Sequence, residues 1–341
     1  MVLLLAFGLA VLFSTSGVAF REQVVFTAFG IFLYFGISFV DFRLLKVFSA
    51  HLYFLLILLL LITLFFGIYS KGAIRWIPLG IEGFTLQPSE FMKLGLIVFL
   101  SAFLSGRFGN LTFRDFGLSL LMALLPSSLV YFQPDLGTAA VIILIWFSLS
   151  VMARFKFAYF ITLFFVIMLF LPLMFFSLKP YQRERLRTYV VPSLDPLGRG
   201  YHVLQSEIAV GSGKIFGRGF GRGTQSHLRF LPEYQTDFVF ASLSEEWGFL
   251  GSAIVLVLFG IIFFRLISVS SGSPFLFGQF LGLGIFSMLF SQMLINIGMN
   301  LGVVPITGIP LPLLSSGGSS LILTLISLGI VQSVARTGKR V

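Results

Sequence analysis

Apolar residues run along this chain in unbroken blocks, and polar residues collect in the gaps between them. The blocks are continuous over roughly 17–25 residues instead of alternating at every second position, which is the pattern of membrane helices and not of barrel strands. Lipid permits only those two structures, because a backbone without water must satisfy its hydrogen bonds internally. Ten blocks are predicted to span, at about 2–20, 24–40, 52–69, 89–105, 116–132, 137–153, 157–177, 249–268, 277–303 and 319–335. The first, MVLLLAFGLAVLFSTSGVAF, has no basic n-region and is long enough to cross, so it reads as the first membrane helix and not as a cleaved signal. The expectation is an all-α polytopic membrane protein, a single integral membrane domain over 1–341 with no separate soluble domain.

Composition supports this. The chain is 57% hydrophobic and 11% charged, with 44 Phe and a mean hydropathy of +1.02, whereas a soluble domain carries about 25% charged residues. The absence of cysteine removes disulfides and thiolate metal sites. Net charge is +10, and in a membrane protein its placement matters more than its sum. An even number of spans puts both ends on one side. With that side cytoplasmic, the inner segments are DFRLLKVFSAH, GRFGNLTFRDF, ARFKF, the loop after Arg265, and ARTGKRV. Each carries or adjoins Arg or Lys, as the positive-inside bias requires, so both ends are assigned to the cytoplasm. The outer side then holds two loops, 70–88 and 178–236, the second lying between spans 7 and 8.

The long outer loop holds Arg183, Arg185, Arg187, Arg199, Lys214, Arg218, Arg222 and Arg229, interleaved with glycines. Arg binds phosphate bidentately, and Gly lets backbone N–H groups approach an anion. Two readings stand: a pyrophosphate or acidic headgroup site, or a solvated loop resting on anionic lipid. GSGK at 211–214 is no P-loop, since Ile215 follows the lysine and no βαβ context exists. No nucleotide, haem or nucleic acid is expected.

In QPSEFMK (87–93), Ser89 is a candidate N-cap, and Lys93 stands three residues beyond Glu90, on the same helix face. A lysine inside a span is either functional or half of a self-neutralised pair. Trp76 beside Arg75 is an interfacial anchor or a sugar-stacking plate, and Asp135 in QPDLGT is placed to cap the next span. The run NLGVVPITGIPLPLLSSGGSS (300–320) breaks the backbone near membrane depth, which is tolerated only where it is buried or lines a cavity. Only 13 acids occur in the chain, yet Glu233, Asp237, Glu245 and Glu246 fall within FLPEYQTDFVFASLSEEWG, residues 230–248. Glu233 and Asp237 share a face if helix already runs there, Thr236 or Asp237 could cap the helix beyond them, and Gly248 and Gly251 suggest a break. A carboxylate at an apolar rim is pushed toward base-competent values; the alternative is capping with ion pairs to Arg218, Arg222 or Arg229.

Taken together, KGAIRWIPLG, QPSEFMK, QPDLGT, YQRERLR, DPLGRGYHVLQSEIAVGSG, GTQSHLRFLPEYQTDFVFASLSEEWG and GIPLPLLSSGGSS resemble the SEDS family of bacterial shape, elongation, division and sporulation proteins, from about Lys71 onward. GSG and GTQS are similar to the RodA side of that family more than the FtsW side. Tyr234-Gln235 and Ser316 depart from common family residues, away from the acid positions. The resemblance implies a peptidoglycan glycosyltransferase of cell elongation that polymerises lipid II at the outer face of the bacterial cytoplasmic membrane. It implies an inverting reaction with Asp237 catalytic, as general base. Glu233, Trp76, Arg75, Glu90 and Lys93 match other functionally important positions. Arg183, Arg185, Lys214, Arg218 and Arg222 are candidates for holding substrate and the undecaprenyl pyrophosphate leaving group. A divalent cation (Mg or Mn) could assist, with Asp237 and Glu245 as candidate ligands. The implied partners are a class B penicillin-binding protein and other elongation-complex proteins. The rival readings are a lipid II flippase, which needs groups reachable from both sides, and a non-catalytic scaffold.

Overall fold

The computed structural model describes residues 1–70, 73–78, 85–177, 199–231 and 233–338. Helices occupy all ten predicted segments. They are α1 (Val2–Thr15), α2 (Gly17–Phe39), α4 (Ser49–Phe66), α5 (Pro88–Arg107), α6 (Phe113–Phe132), α7 (Leu136–Met152), α8 (Phe157–Ser177), α11 (Val239–Ser271), α12 (Leu276–Asn300) and α13 (Gly318–Gly338). Short helices α3 (Arg43–Val47), α9 (Arg199–Ser212) and α10 (Thr224–His227) lie between them. Among the described residues, α2, α4, α5, α6, α11, α12 and α13 are long and apolar enough to cross a membrane, and α1, α7 and the Phe157–Leu169 part of α8 are shorter apolar helices.

The bundle has a centre and a periphery. In α5, α12 and α13, 67%, 67% and 72% of the most apolar window is buried, against 22–33% for α2, α4, α6 and α11. The central helices owe their position to small residues, which let neighbouring backbones approach where lipid supplies no hydrophobic drive between helices. A Cβ on Gly329 of α13 would stand 2.8 Å from the Tyr34 carbonyl of α2, and one on Gly284 of α12 would stand 2.6 Å from Ile97 of α5. Accordingly α2 lies along α13, α11 along α12, and α5 against α4, α7 and α12.

The structure departs from the sequence expectation in several places. The first two spans do not divide at 20–24. Ser16, extended at φ −155°, ends α1 and accepts the amide of Ala19 to cap α2. The first outer loop adds a small antiparallel sheet to the helical fold, β1 (Ile68–Ser70), β2 (Ala73–Pro78) and β3 (Thr85–Leu86). The start of α5 falls one residue before the expected cap, with Gln87 as N-cap and Pro88 in the first turn, where proline's missing N–H is harmless. Ser89 is instead buried and accepts a bond from Gln87 Nε2 (3.2 Å). Phe238, not Thr236 or Asp237, holds the N-cap position of α11.

The break expected at Gly248 is present. That residue adopts φ 66°, ψ −162° inside α11, separating a short upper segment from the apolar helix below. Only glycine takes this conformation without strain. The turn of 213–217 lies directly against it: a Cβ on Gly248 would fall 2.3 Å from the Gly217 nitrogen and 2.6 Å from the Ile215 carbonyl oxygen. Gly248→Ala should therefore lower thermal stability in detergent, by about 1–3 kcal/mol for the backbone alone. Gly260→Ala, lower in the same helix with nothing within 4 Å of the added carbon, should hold or raise stability by up to about 1 kcal/mol. Equal melting temperatures for the two variants would refute the assignment of the break.

Candidate functional site

The turn before α11 is built around one carbonyl. Glu233, at φ 50°, offers its backbone oxygen to the amides of Thr236, Asp237 and Phe238 at 3.1–3.2 Å, and the Thr236 hydroxyl donates to the Glu233 carboxylate at 3.0 Å. Two asparagines one helical turn apart on α12 hold this turn from below. Asn296 Nδ2 donates to the Asp237 carbonyl (2.9 Å) and to the Ile309 carbonyl (2.8 Å). Asn300 Nδ2 donates to the same Asp237 carbonyl (3.1 Å), while its Oδ1 accepts the Ala241 amide (3.0 Å). Both asparagines are fully buried. From the third side, Ser315 donates its hydroxyl to the Thr236 carbonyl and the Ser316 amide bonds the Gln235 carbonyl (2.8 Å). Asp237 is half-buried, with its Oδ2 facing Gly308, 3.5 Å from where a Cβ there would sit.

Gly308 belongs to the broken run after α12, and the other face of that run meets the start of α7. A Cβ on Gly137 would lie 2.8 Å from the Thr307 carbonyl and 2.7 Å from Ile309. Asp135 caps α7 as expected, accepting the Thr138 amide (3.1 Å) and hydroxyl (3.0 Å). It also pairs with Arg75 Nη1 at 3.3 Å and accepts Gln87 Nε2 at 3.2 Å. Arg75 and Trp76 stand half-buried on β2. Ser319 at the top of α13 ties in β3 and α5, accepting the Gln87 amide (3.1 Å) and donating to the Thr85 carbonyl (3.2 Å). One turn into α5, Lys93 Nζ and Glu90 Oε1 form the expected pair at 2.6 Å, both buried. Glu90 Oε2 and Arg75 Nε have no hydrogen-bond partner among the described residues. The 307–309 segment thus joins Asp237 on one side to the Arg75–Asp135 pair on the other.

Three basic residues of the long loop fall elsewhere. Lys214, Arg218 and Arg222 are exposed on the 213–223 segment, whose backbone bonds Glu245, Glu246, Phe249 and Leu250 and not the Asp237 turn. Arg218 Nη1 donates to the Thr224 hydroxyl (3.0 Å). Arg183 and Arg185 lie outside the described residues. Glu245 is buried and accepts from the Thr224 hydroxyl, the Gln225 and Ser226 amides and the Ser226 hydroxyl at 3.0–3.4 Å. Glu246 bonds the Ser14 hydroxyl and His227 Nε2 (3.2 Å). These two acids fasten α10 and α1 to the upper part of α11. Glu245 does not suit a metal, since protein donors already occupy its oxygens. Among the described residues no three His, Cys, Asp or Glu gather into a metal site.

Sequence reading missed Asn296, Asn300 and Ser315, although two amides four residues apart within an apolar span are a signal in themselves. It also missed that Asp135 pairs with Arg75, a contact between distant segments that no local pattern displays.

The chain matches the FtsW/RodA/SpoVE family, described as cell cycle proteins, over residues 1–340. It is 38% identical over 285 residues to the peptidoglycan glycosyltransferase MrdB of Escherichia coli strain K12, covering 83% of this chain and 76% of that one. It is 41% identical over 287 residues to the stage V sporulation protein E of Bacillus subtilis, with the same coverage, so identity does not set it on one branch of the family. A solved chain from a peptidoglycan synthase complex that coordinates polymerization and crosslinking superposes with a TM-score of 0.85 and 33% identity, over 100% of this chain and 96% of that one.

The buried Glu90–Lys93 pair generates a double-mutant test. Lys93→Met leaves Glu90 charged and alone, and should destabilise by about 3–5 kcal/mol. Adding Glu90→Gln should recover most of that loss, measured as thermal unfolding in detergent. A double variant as unstable as Lys93→Met would show that side-chain packing, not charge pairing, is what the site requires.

Proposed function

This chain belongs to the FtsW/RodA/SpoVE (SEDS) family of cell cycle proteins, and we infer that it is a peptidoglycan glycosyltransferase that joins lipid II units into glycan strands, with Asp237 as the general base. The observation that carries the reading is the setting of Asp237. Its backbone is fixed by Asn296 and Asn300, while its carboxylate is half-buried at the edge of the broken 301–317 run. A base held at fixed height over a partly water-excluded rim is what proton transfer from a sugar hydroxyl asks of a protein.

In the proposed reaction the acceptor 4-hydroxyl oxygen bonds the anomeric carbon of the lipid-linked donor, and its proton passes to Asp237. The bond from that carbon to the pyrophosphate breaks, the electron pair leaves with undecaprenyl pyrophosphate, and the α linkage becomes β. A pyrophosphate leaving group needs charge neutralisation more than protonation, for which Arg183, Arg185, Lys214, Arg218 and Arg222 are the candidate substrate contacts, the last three from a segment that does not bond the Asp237 turn. Arg75, Trp76 and Glu233 fit a second group of candidate substrate contacts around the 307–309 segment, with Glu90 and Lys93 buried behind them in α5. The described residues offer a divalent cation Asp237 and no saturating donor set, so no step is routed through one.

The site belongs on the outer face of the cytoplasmic membrane under the assigned topology, where short basic loops lie at the opposite end of the bundle. A class B penicillin-binding protein is the partner proposed, supported by the likeness to a chain of a complex that couples polymerization to crosslinking. Cell elongation is the setting proposed.

Asp237→Asn preserves shape and removes the base. Purified with its penicillin-binding partner and given lipid II, it should polymerise about 10²–10⁴-fold more slowly than wild type, with complex formation on gel filtration unchanged. Normal polymerisation by this variant would sink the base assignment. Transbilayer movement of lipid II by a wild-type complex that makes no polymer would instead identify a transporter.

A further inference from the structure

The end of the bundle remote from Asp237 contains a cavity of about 560 Å³ where α1, α2, α11 and α13 meet. Arg265, on its rim, lies 17 residues beyond the Gly248 break, roughly 26 Å along the lower part of α11. The volume falls within the roughly 300–1,000 Å³ typical of small-molecule sites. Its walls are divided by chemistry. Arg265, Tyr34 and Gln332 form the polar rim, and Ile261, Leu328 and Val331 form an apolar side.

Two features indicate what it takes. First, none of the ion pairs among the described residues includes Arg265, so an exposed guanidinium stands over the cavity with no carboxylate of the described residues within 4 Å. The neighbouring 220 Å³ pocket differs: its Arg43 is clamped by Asp41 and its Arg336 lies over the Phe39 ring at 4.5 Å. Second, the apolar wall opens sideways. Ile261 is 55% exposed and continues into Val257 and Phe264 on the outward face of α11, 62% and 70% exposed. That face meets acyl chains, so the cavity is reached from the bilayer as well as from water. A soluble anion would leave half of the cavity unfilled. A molecule carrying phosphate at one end and hydrocarbon at the other satisfies both walls, with the arginine stem running along apolar surface and its head at the interface.

We propose that this cavity is a binding site for an anionic glycerophospholipid, its phosphate at Arg265, Tyr34 and Gln332 and an acyl chain along Ile261, Leu328 and Val331. The site is independent of the reading given to Asp237. It lies between the far ends of α11, which begins just after Asp237, and α13, which begins after the 301–317 run.

The test uses the full chain purified in detergent, with retained lipid measured by native mass spectrometry and thermal unfolding followed in parallel. The probes are phosphatidylglycerol, phosphatidylcholine with the same acyl chains, and glycerol phosphate. Phosphatidylglycerol should be retained and raise the melting temperature, phosphatidylcholine should bind several-fold less, and glycerol phosphate should do neither. Arg265→Gln should weaken phosphatidylglycerol retention about fivefold, and Arg336→Gln should leave it unchanged. Ser268→Trp, which fills the cavity from its exposed rim, should abolish retention without removing any charge, and it decides the matter if Arg265→Gln folds poorly. Equal retention of the two lipids, stabilisation by glycerol phosphate alone, or wild-type retention by Ser268→Trp would each overturn the proposal.

Discussion

The carbonyl of Asp237 is the point on which the outer end of this bundle depends. It lies before the helix it introduces and away from bulk water, so its hydrogen bonds must come from protein. Asn296 and Asn300 supply them from successive turns of α12, and each asparagine also bonds a second segment, the irregular backbone at Ile309 in one case and the first-turn amide of Ala241 in α11 in the other. The same two amides that position a carboxylate therefore also anchor the broken run after α12. Removing either would leave the Asp237 carbonyl with one donor and would strip the Ile309 carbonyl or the Ala241 amide of its partner, and a buried group left unpaired costs more than a bond made is worth.

Around that anchor the polar groups sort by how completely they are answered. Asp135, Glu245 and Glu246 sit deep and accept from several donors each, so they act as fasteners between segments far apart in sequence. Glu90 and Lys93 neutralise each other inside the central helix. Asp237 is only half-buried, with its backbone held by Asn296 and Asn300. Burial thus separates it from the acids that serve as fasteners.

The helical segments were legible in the sequence because lipid imposes long apolar blocks, and the breaks at Gly248 and at 301–317 were legible because glycine and proline mark them. The Asp135 cap and the Glu90–Lys93 pair were legible because both partners lie within one turn. What escaped was long-range: Arg75 reaching Asp135, Asn296 and Asn300 reaching Asp237, and the 213–223 segment packing beneath Glu245 and not facing Asp237. No residue-to-residue period encodes such contacts. The start of α2 escaped for another reason, since Ser14-Thr15-Ser16-Gly17 interrupts the apolar block only briefly and a local side-chain cap at Ser16 divides it.

That division has a consequence for how the chain meets the bilayer. With 14 residues, α1 is about 21 Å long, well short of a hydrocarbon core of about 30 Å. A short span is accommodated by thinning of the bilayer, by snorkelling of flanking residues or by association with other helices. For α1 the associating helix is already in place: Ser14 at its end bonds Glu246 on the upper part of α11, so the polar end of the short helix is answered by protein.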